Sequence, residues 1–287
     1  MAVLKTEELT YIYSQGTPFE KTAVDHVNLE IKEGEIIGIM GHTGSGKSTL
    51  IQHFNALLKP TSGKVYLDGR DIWADKSQIR EVRFRVGLVF QYPEYQIFEE
   101  TVYKDIAFGC RNMRLSENEI KRRVTETVHD IGLPEEILSC SPFELSGGQK
   151  RRVAIAGVMA MNPRVLILDE PSAGLDPVGR KRIFDCIKAY HKKTKNTILI
   201  VSHSMEDIAT FADRILVMNK AGIFCFDETP KVFSRAEEIS AIGLDVPQIT
   251  RVFIELRKHG IDFGEEVYTV DSAREVILKH LRERQGV

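Results

Sequence analysis

An α/β fold is the class these 287 residues predict: a sheet core interrupted by a helical segment and followed by a helical tail. Three observations predict it. Residues 36–40 (IIGIM) are a continuous apolar run that leads into the glycine-rich stretch 41–48 and then a helical pattern. Residues 165–168 (VLIL) are a second such run and end in Asp169 and Glu170. Between the two, from about residue 92 to 161, the pattern is helical, with Pro134 and Pro142 as punctuation.

The elements follow in order. The first 35 or so residues read as strands, and residues 23–31 alternate apolar and polar, the period of a half-buried strand. Residues 32–35 (KEGE) make a turn before the apolar strand 36–40. A helix is expected over 47–58, ended ahead of Pro60. Further strands are expected at 64–67 and 87–90, then at 165–168, 197–201 and 215–218. Residues 220–222 (KAG) turn the chain into a hairpin with 223–226. Residues 1–228 thus form the main domain, with its helical part at about 92–161, and residues 229–287 a small, mostly helical extension. In that extension Val252, Phe253 and Leu256 share a helix face. Ser272 with Glu275 has the layout of a capping box, and Ala273, Val276, Ile277 and Leu281 form an apolar stripe after it.

Composition narrows the function. Apolar content of 43% and charged content of 28% are those of a soluble globular chain. A net charge of -2 argues against nucleic acid as a partner. The short basic clusters at 121–123 and 192–193 read as solvated helix faces. No apolar run approaches the ~20 residues of a spanning helix, and the N-terminus lacks a signal layout, so the expectation is a cytosolic chain whose membrane role, if any, comes through a partner. Cys110, Cys140, Cys186 and Cys225 are far apart with no CxxC pair, and are expected to be reduced and mostly buried.

Residues 41–48 (GHTGSGKS) match GxxxxGK[ST], in the strand–loop–helix context that this motif requires. Glycines let backbone N–H groups turn inward around an anion, and the helix start adds partial positive charge. Gly41, Thr43, Gly44, Ser45, Gly46, Lys47, Ser48 and Thr49 are the candidate contacts to the phosphates of ATP. Lys47 brings a full charge to the β and γ phosphates, and the Ser48 hydroxyl is a ligand for Mg²⁺. An apolar strand delivers its terminal acids to the carboxyl edge of the sheet, where ligands sit in open α/β folds. Asp169 is placed there to hold Mg²⁺, and Glu170 to polarise an attacking water. Residues 145–149 (LSGGQ) precede a helical pattern. Ser146 with Gln149 is a capping-box layout; Gly147 and Gly148 equally expose N–H groups to an anion.

Taken together, the loop 41–48, LSGGQ and the acids after strand 165–168 resemble the ATP-binding cassette (ABC) ATPases, over about residues 4–226. The resemblance implies a P-loop NTPase cassette: a RecA-like α/β core, an antiparallel β subdomain and an inserted helical subdomain. It implies a head-to-tail dimer in which Ser146, Gly147, Gly148 and Gln149 meet the γ-phosphate held by a second ATPase subunit. By the same resemblance Gln91 stands at the Q-loop place, contacting Mg²⁺ or the water. Residues 172–176 (SAGLD), including Asp176, look like the D-loop at the dimer interface. His203 matches the switch histidine, and Tyr13 sits where an aromatic ring stacks on adenine. Tyr11 is a neighbouring candidate, and a plain core or surface tyrosine is the alternative for either. Lys47, Asp169, Glu170, the signature and His203 are all present, which implies hydrolysis.

Three local features refine the resemblance. The loop reads GHTGSGKS, residues 90–98 read FQYPEYQIF, and residues 241–248 read AIGLDVPQ. Together they are similar to the ATPase subunits of energy-coupling-factor (ECF) transporters, with residues 16–20 (GTPFE) leaning to the second ATPase type. That family implies a membrane scaffold subunit, a substrate-binding membrane subunit, import of vitamins or transition-metal ions, and a peripheral place on the cytoplasmic face of the cell membrane. Its tail holds the ATPase pair together. The rival readings are the ATPase of a conventional ABC importer and a soluble cassette acting on nucleic acid or ribosomes.

Overall fold

The structure is a computed structural model and describes residues 2–265 and 267–285. In chain order the strands are β1 (Ala2–Tyr13), β2 (Lys21–Lys32), β3 (Ile36–Gly41), β4 (Ser62–Leu67), β5 (Arg70–Asp71), β6 (Val86–Val89), β7 (Val165–Asp169), β8 (Thr197–Val201), β9 (Arg214–Asn219) and β10 (Gly222–Glu228). The helices are α1 (Lys47–Phe54), α2 (Ile79–Arg85), α3 (Val102–Asn112), α4 (Glu117–Asp130), α5 (Gly147–Met159), α6 (Pro177–Thr194), α7 (Met205–Phe211), α8 (Thr229–Phe233), α9 (Ala236–Ala241), α10 (Gln248–Lys258) and α11 (Val270–Gln285).

Among the described residues the strands form two sheets. One is antiparallel, in the order β2-β1-β4-β5; the other has the order β10-β9-β3-β8-β7-β6. In the second, β3 runs parallel to both β8 and β9, and β7 runs parallel to both β6 and β8. Only the hairpin strand β10 is antiparallel to its neighbour. The apolar runs of β3, β7 and β8 are explained by burial on both faces. Alternate residues feed different cores. Ile37 and Ile39 face a core shared with the antiparallel sheet and α1, together with Leu9, Val24, Leu50 and Phe54. Leu166, Leu168, Ile198 and Ile200 face a core shared with the helical segment, together with Ile106, Val124, Val153 and Ile155. The hairpin turn uses left-handed Lys220 and Ala221, with Asn219 paired to Gly222; two positive φ angles are what a two-residue turn of matching twist needs.

Some boundaries differ from expectation. Helix α1 stops at Phe54, not near residue 58. The Asn55 side-chain amide donates to the Val86 carbonyl, Ala56 turns left-handed, and the Leu57 and Leu58 N–H groups both fold back onto the Gln52 carbonyl. Strands β4 and β6 begin two and one residues earlier than expected, and α2 was not foreseen. The expected Ser272–Glu275 capping box is replaced by one a turn earlier. Thr269 Oγ1 accepts the Ser272 N–H, and the Thr269 N–H donates to Ser272 Oγ, so Ser272 lies inside α11.

The chain turns helical at Thr229, yet the main core continues past it. Val232, Phe233, Ala236, Ile239, Leu244 and Val246 are buried in the same cluster as Met205 and Ile208 of α7. A second small cluster gathers Phe253, Val267, Ala273 and Val276. Among the described residues no helix is long and apolar enough to cross a membrane. Cys110 and Cys225 are buried, Cys140 and Cys186 half-buried, and all four are free thiols.

Candidate nucleotide-binding site

The carboxyl ends of β3 and β7 and the start of α1 meet at one cleft of about 380 Å³. Thr43, Gly44, Gly46, Lys47, Ser48, Thr49, Gln91, Asp169, Glu170 and His203 line it. These residues come from four separate stretches of sequence, and the parallel register of β3, β8 and β7 brings them to one edge. Gly41 and Ser45 lie buried in the body of the loop.

The loop's shape depends on glycine at the helix start. Gly46 has φ +103, and a Cβ there would sit 2.1 Å from the Ala23 carbonyl of β2. No side chain caps α1, and its first turn holds no acid, so the orphan N–H groups of its N-terminus face the cleft. By contrast α3, α4, α6 and α7 are capped by Thr101, Ser116, Asp176 and Ser204.

Lys47 is buried, and its ammonium donates to the carbonyls of Gly41 at 2.6 Å and His42 at 2.9 Å. Burial lowers its pKa, against the pull of Glu170 and Asp169. Ser48 Oγ donates to Asp169 Oδ2 at 3.3 Å. Burial raises Asp169, with the Ser48 hydrogen bond and Lys47 opposing. A hydroxyl and a carboxylate facing each other beside Gln91 are hard oxygen donors that fit Mg²⁺, an ion that takes the rest of its shell from phosphates and water. Among the described residues no group of three or more His, Cys, Asp or Glu side chains could hold a metal by itself.

Glu170 follows β7 in a left-handed conformation, φ 51, and its N–H continues the sheet by donating to the Val201 carbonyl. Among the described residues its buried Oε1 has no hydrogen-bond partner. His203 Nε2 approaches that oxygen to 3.5 Å, outside hydrogen-bonding geometry. Burial, then repulsion from Asp169, push the Glu170 carboxyl up to about 7, with Lys47 and the His203 N–H opposing. Burial, then the charge of Lys47, holds His203 below the usual imidazole value. A carboxyl poised near neutrality with a free buried oxygen is suited to take a proton from water.

Tyr13 reaches this site from β1: its hydroxyl lies 3.2 Å from Thr49 Oγ1, and its half-exposed ring packs edge-on against Tyr11 at 4.8 Å. Tyr11 in turn packs against buried His53, so of the two tyrosines Tyr13 offers the open face.

Ser146, Gly147, Gly148, Gln149 and Asp176 do not line the cleft. Ser146 and Gln149 form a true capping box at the start of α5. The glycines beside it are open: a Cβ on Gly147 would meet nothing within 4 Å, and one on Gly148 only Leu175 Cδ2 at 4.0 Å. Asp176 caps α6 by accepting the Gly179 N–H at 2.6 Å.

Two connecting groups escaped the sequence reading. Arg151 of α5 is buried and joins Glu94, three residues after Gln91, to the Ala173 carbonyl. Asp207 of α7 joins Ser172 to Arg180. Glu94 lies within residues 90–98, but charge pattern alone offers no partner 57 residues away.

Fold and site together define an ATPase of the ABC class, and the ABC transporter family pattern matches residues 24–173. The chain is 53% identical over 284 residues to the energy-coupling factor transporter ATP-binding protein EcfA2 of Caldanaerobacter subterraneus subsp. tengcongensis, covering 99% of each. It is 54% identical over 277 residues to EcfA2 of Clostridium tetani, covering 96% of each. Among solved structures, cbiO1 of Clostridium perfringens, part of the ABC transporter complex cbiONQ, superposes with a TM-score of 0.74 at 41% identity, over 86% of this chain and 97% of that one. The cassette MJ0796, a dimer with ADP and Pi, superposes with a TM-score of 0.71 at 30% identity, over 79% of this chain and 98% of that one. The chain belongs to the ABC transporter family, and within it to the energy-coupling factor transporter ATP-binding proteins. It is an ATPase whose hydrolysis is coupled to transport.

Proposed function

We propose that the chain powers an ECF-type importer of vitamins or transition-metal ions from the cytoplasmic face of the membrane. It closes head-to-tail on a second ATPase subunit with Mg-ATP between them. Lys47 and the N–H groups of the loop hold the β and γ phosphates, Ser48 and Asp169 hold Mg²⁺ with Gln91, and Tyr13 takes the adenine. Magnesium, when bound, neutralises the developing phosphate charge. Glu170 accepts the proton of the attacking water and His203 steadies the γ-phosphate. Catalysis is then positioning plus charge stabilisation.

The observation that carries the paired arrangement is the open pair Gly147 and Gly148, at the start of α5 and outside their own chain's cleft. A second subunit's nucleotide supplies a phosphate for their N–H groups. The exposed rings of Tyr92, Tyr95 and Phe98, which follow Gln91 in the chain, and of Phe108, edge-on to Phe98, support a scaffold docking there through its coupling helices. The residues after Thr229 would help to hold the ATPase pair.

The test is Glu170→Gln in Mg-ATP, read by sedimentation. Closure predicts a stable ATP-bound dimer; a folded variant that stays monomeric at saturating ATP refutes the paired mechanism.

A further inference from the structure

His42 stands inside the phosphate loop and takes no part in the chemistry described so far. Its ring is held from far away: Nε2 lies 2.8 Å from the carbonyl oxygen of Ile242, 200 residues along the chain. A carbonyl only accepts, so Nε2 carries the proton in this contact. Gly243 makes the approach close. Its φ is +80, and a Cβ there would stand 3.3 Å from His42 Nε2 and 3.4 Å from Cε1.

The other side of His42 faces the phosphate machinery. Its main-chain carbonyl accepts the Lys47 ammonium at 2.9 Å and the Ser45 N–H at 3.1 Å. The Ile242 end is rigid in its turn. Ile239, Leu244 and Val246 are buried in the core that holds Met205 and Ile208 of α7. The Gln248 N–H donates to Glu206 Oε1 of the same helix at 3.3 Å. So a segment fixed by the core grips the loop tip whose carbonyl aims Lys47.

We propose that His42 is a positioning residue for ATP binding, through which the segment around Ile242 sets the geometry of Lys47. The inference rests on the reading of residues 41–48 as the phosphate site. Because coupling is reciprocal, ATP that orders the loop also tightens the Ile242 segment.

The test uses the full chain with Mg-ATP, by calorimetry. His42→Ala raises the Kd about five- to tenfold, where tenfold is about 1.4 kcal/mol and one neutral hydrogen bond is worth about as much. His42→Gln keeps a side-chain N–H donor and returns the Kd to within about twofold. The melting point without nucleotide falls by at most about 4 °C, as the loss of one hydrogen bond from an exposed ring allows. A purely structural contact would leave a second readout unmoved. Hydrogen exchange at the Gly243 and Leu244 amides, which bond to Ser240 and Ile239, slows on adding Mg-ATP to the native chain and does not in His42→Ala. An unchanged Kd in His42→Ala, no rescue by glutamine, or exchange at 243–244 indifferent to ATP in the native chain overturns the proposal. Lys47→Ala separates the two levels. If it binds Mg-ATP as the native chain does, the phosphate-site reading fails; if it loses binding while His42→Ala keeps it, only the role of His42 fails.

Discussion

Arg151 holds Glu94 by two parallel hydrogen bonds, Nε to Oε2 at 3.0 Å and Nη2 to Oε1 at 2.5 Å, and gives a third to the Ala173 carbonyl. One buried guanidinium thus joins the stretch after Gln91, the helix that begins at the LSGGQ glycines, and the turn that follows Glu170. The planar fork matters, because three acceptors at fixed angles suit guanidinium and not ammonium.

Breaking this pair leaves a charge short of water. Arg151→Ala should cost about 3 kcal/mol of unfolding free energy, as removal of one partner of a buried pair does. Arg151→Lys should recover less than half of that, since it keeps the charge and loses the fork. Urea denaturation of Arg151→Ala, Glu94→Ala and the double variant checks this: the double should cost clearly less than the two singles added together. Strict additivity would mean that the two side chains do not support each other.

Glu170 makes stability depend on pH in a defined direction. Its folded value of about 7 lies above the ordinary 4.5, so between those values the folded chain binds more protons than the unfolded one. Stability from this group is present at low pH and is lost as pH rises through that window. Glu170→Gln removes the penalty. Without nucleotide it should be more stable than the native chain at pH 8, by on the order of 2 kcal/mol, with the gap closing towards pH 4. Chemical denaturation at a series of pH values measures it. A variant less stable than the native chain at pH 8 would show that the carboxylate is stabilised by groups other than those named.

Tyr13 tests the adenine side. The residue is 39% exposed, and its hydroxyl lies 3.2 Å from Thr49 Oγ1. Base stacking on an aromatic ring is worth about 1–3 kcal/mol, so Tyr13→Ala should weaken Mg-ATP by about tenfold or more, while Tyr13→Phe keeps the face and most of the affinity. Tyr11→Phe should leave it unchanged. If phenylalanine at position 13 is as poor as alanine, the hydroxyl and not the ring is what the site uses.

The local signals were legible where one stretch of chain decides the outcome. The apolar runs of β3 and β7 are fully buried strands, and the glycine loop does lead from one into α1. The sheet's carboxyl edge brings Lys47, Ser48, Gln91, Asp169, Glu170 and His203 to one cleft. What stayed hidden depends on pairs distant in sequence. The stop of α1 comes from Asn55 reaching Val86, not from Pro60. The cap of α11 is Thr269, which accepts the Ser272 N–H, while Ser272 with Glu275 has only the spacing of a box. Arg151, Asp207 and His42 carry partners 22 to 200 residues away, and periodicity contains no trace of them.

The extension beyond α9 supplies the last prediction. Phe253, Val267, Ala273 and Val276 close a small core, and the opposite sides of α10 and α11 leave Val252 50%, Leu278 40% and Leu281 48% exposed. Single exposed apolar side chains are ordinary, but three on one small module mark a surface that gains by being covered. If that surface holds the ATPase pair together, Val252→Asp with Leu281→Asp should weaken pairing in Mg-ATP. The melting point and the Mg-ATP affinity should stay near native, because neither side chain supports the core or the cleft. Sedimentation equilibrium across a concentration series, with calorimetry on the same samples, reads both quantities. Loss of ATP affinity with pairing intact would make this face part of the nucleotide site. Pairing unchanged in every respect would leave closure to the loop and the LSGGQ glycines alone.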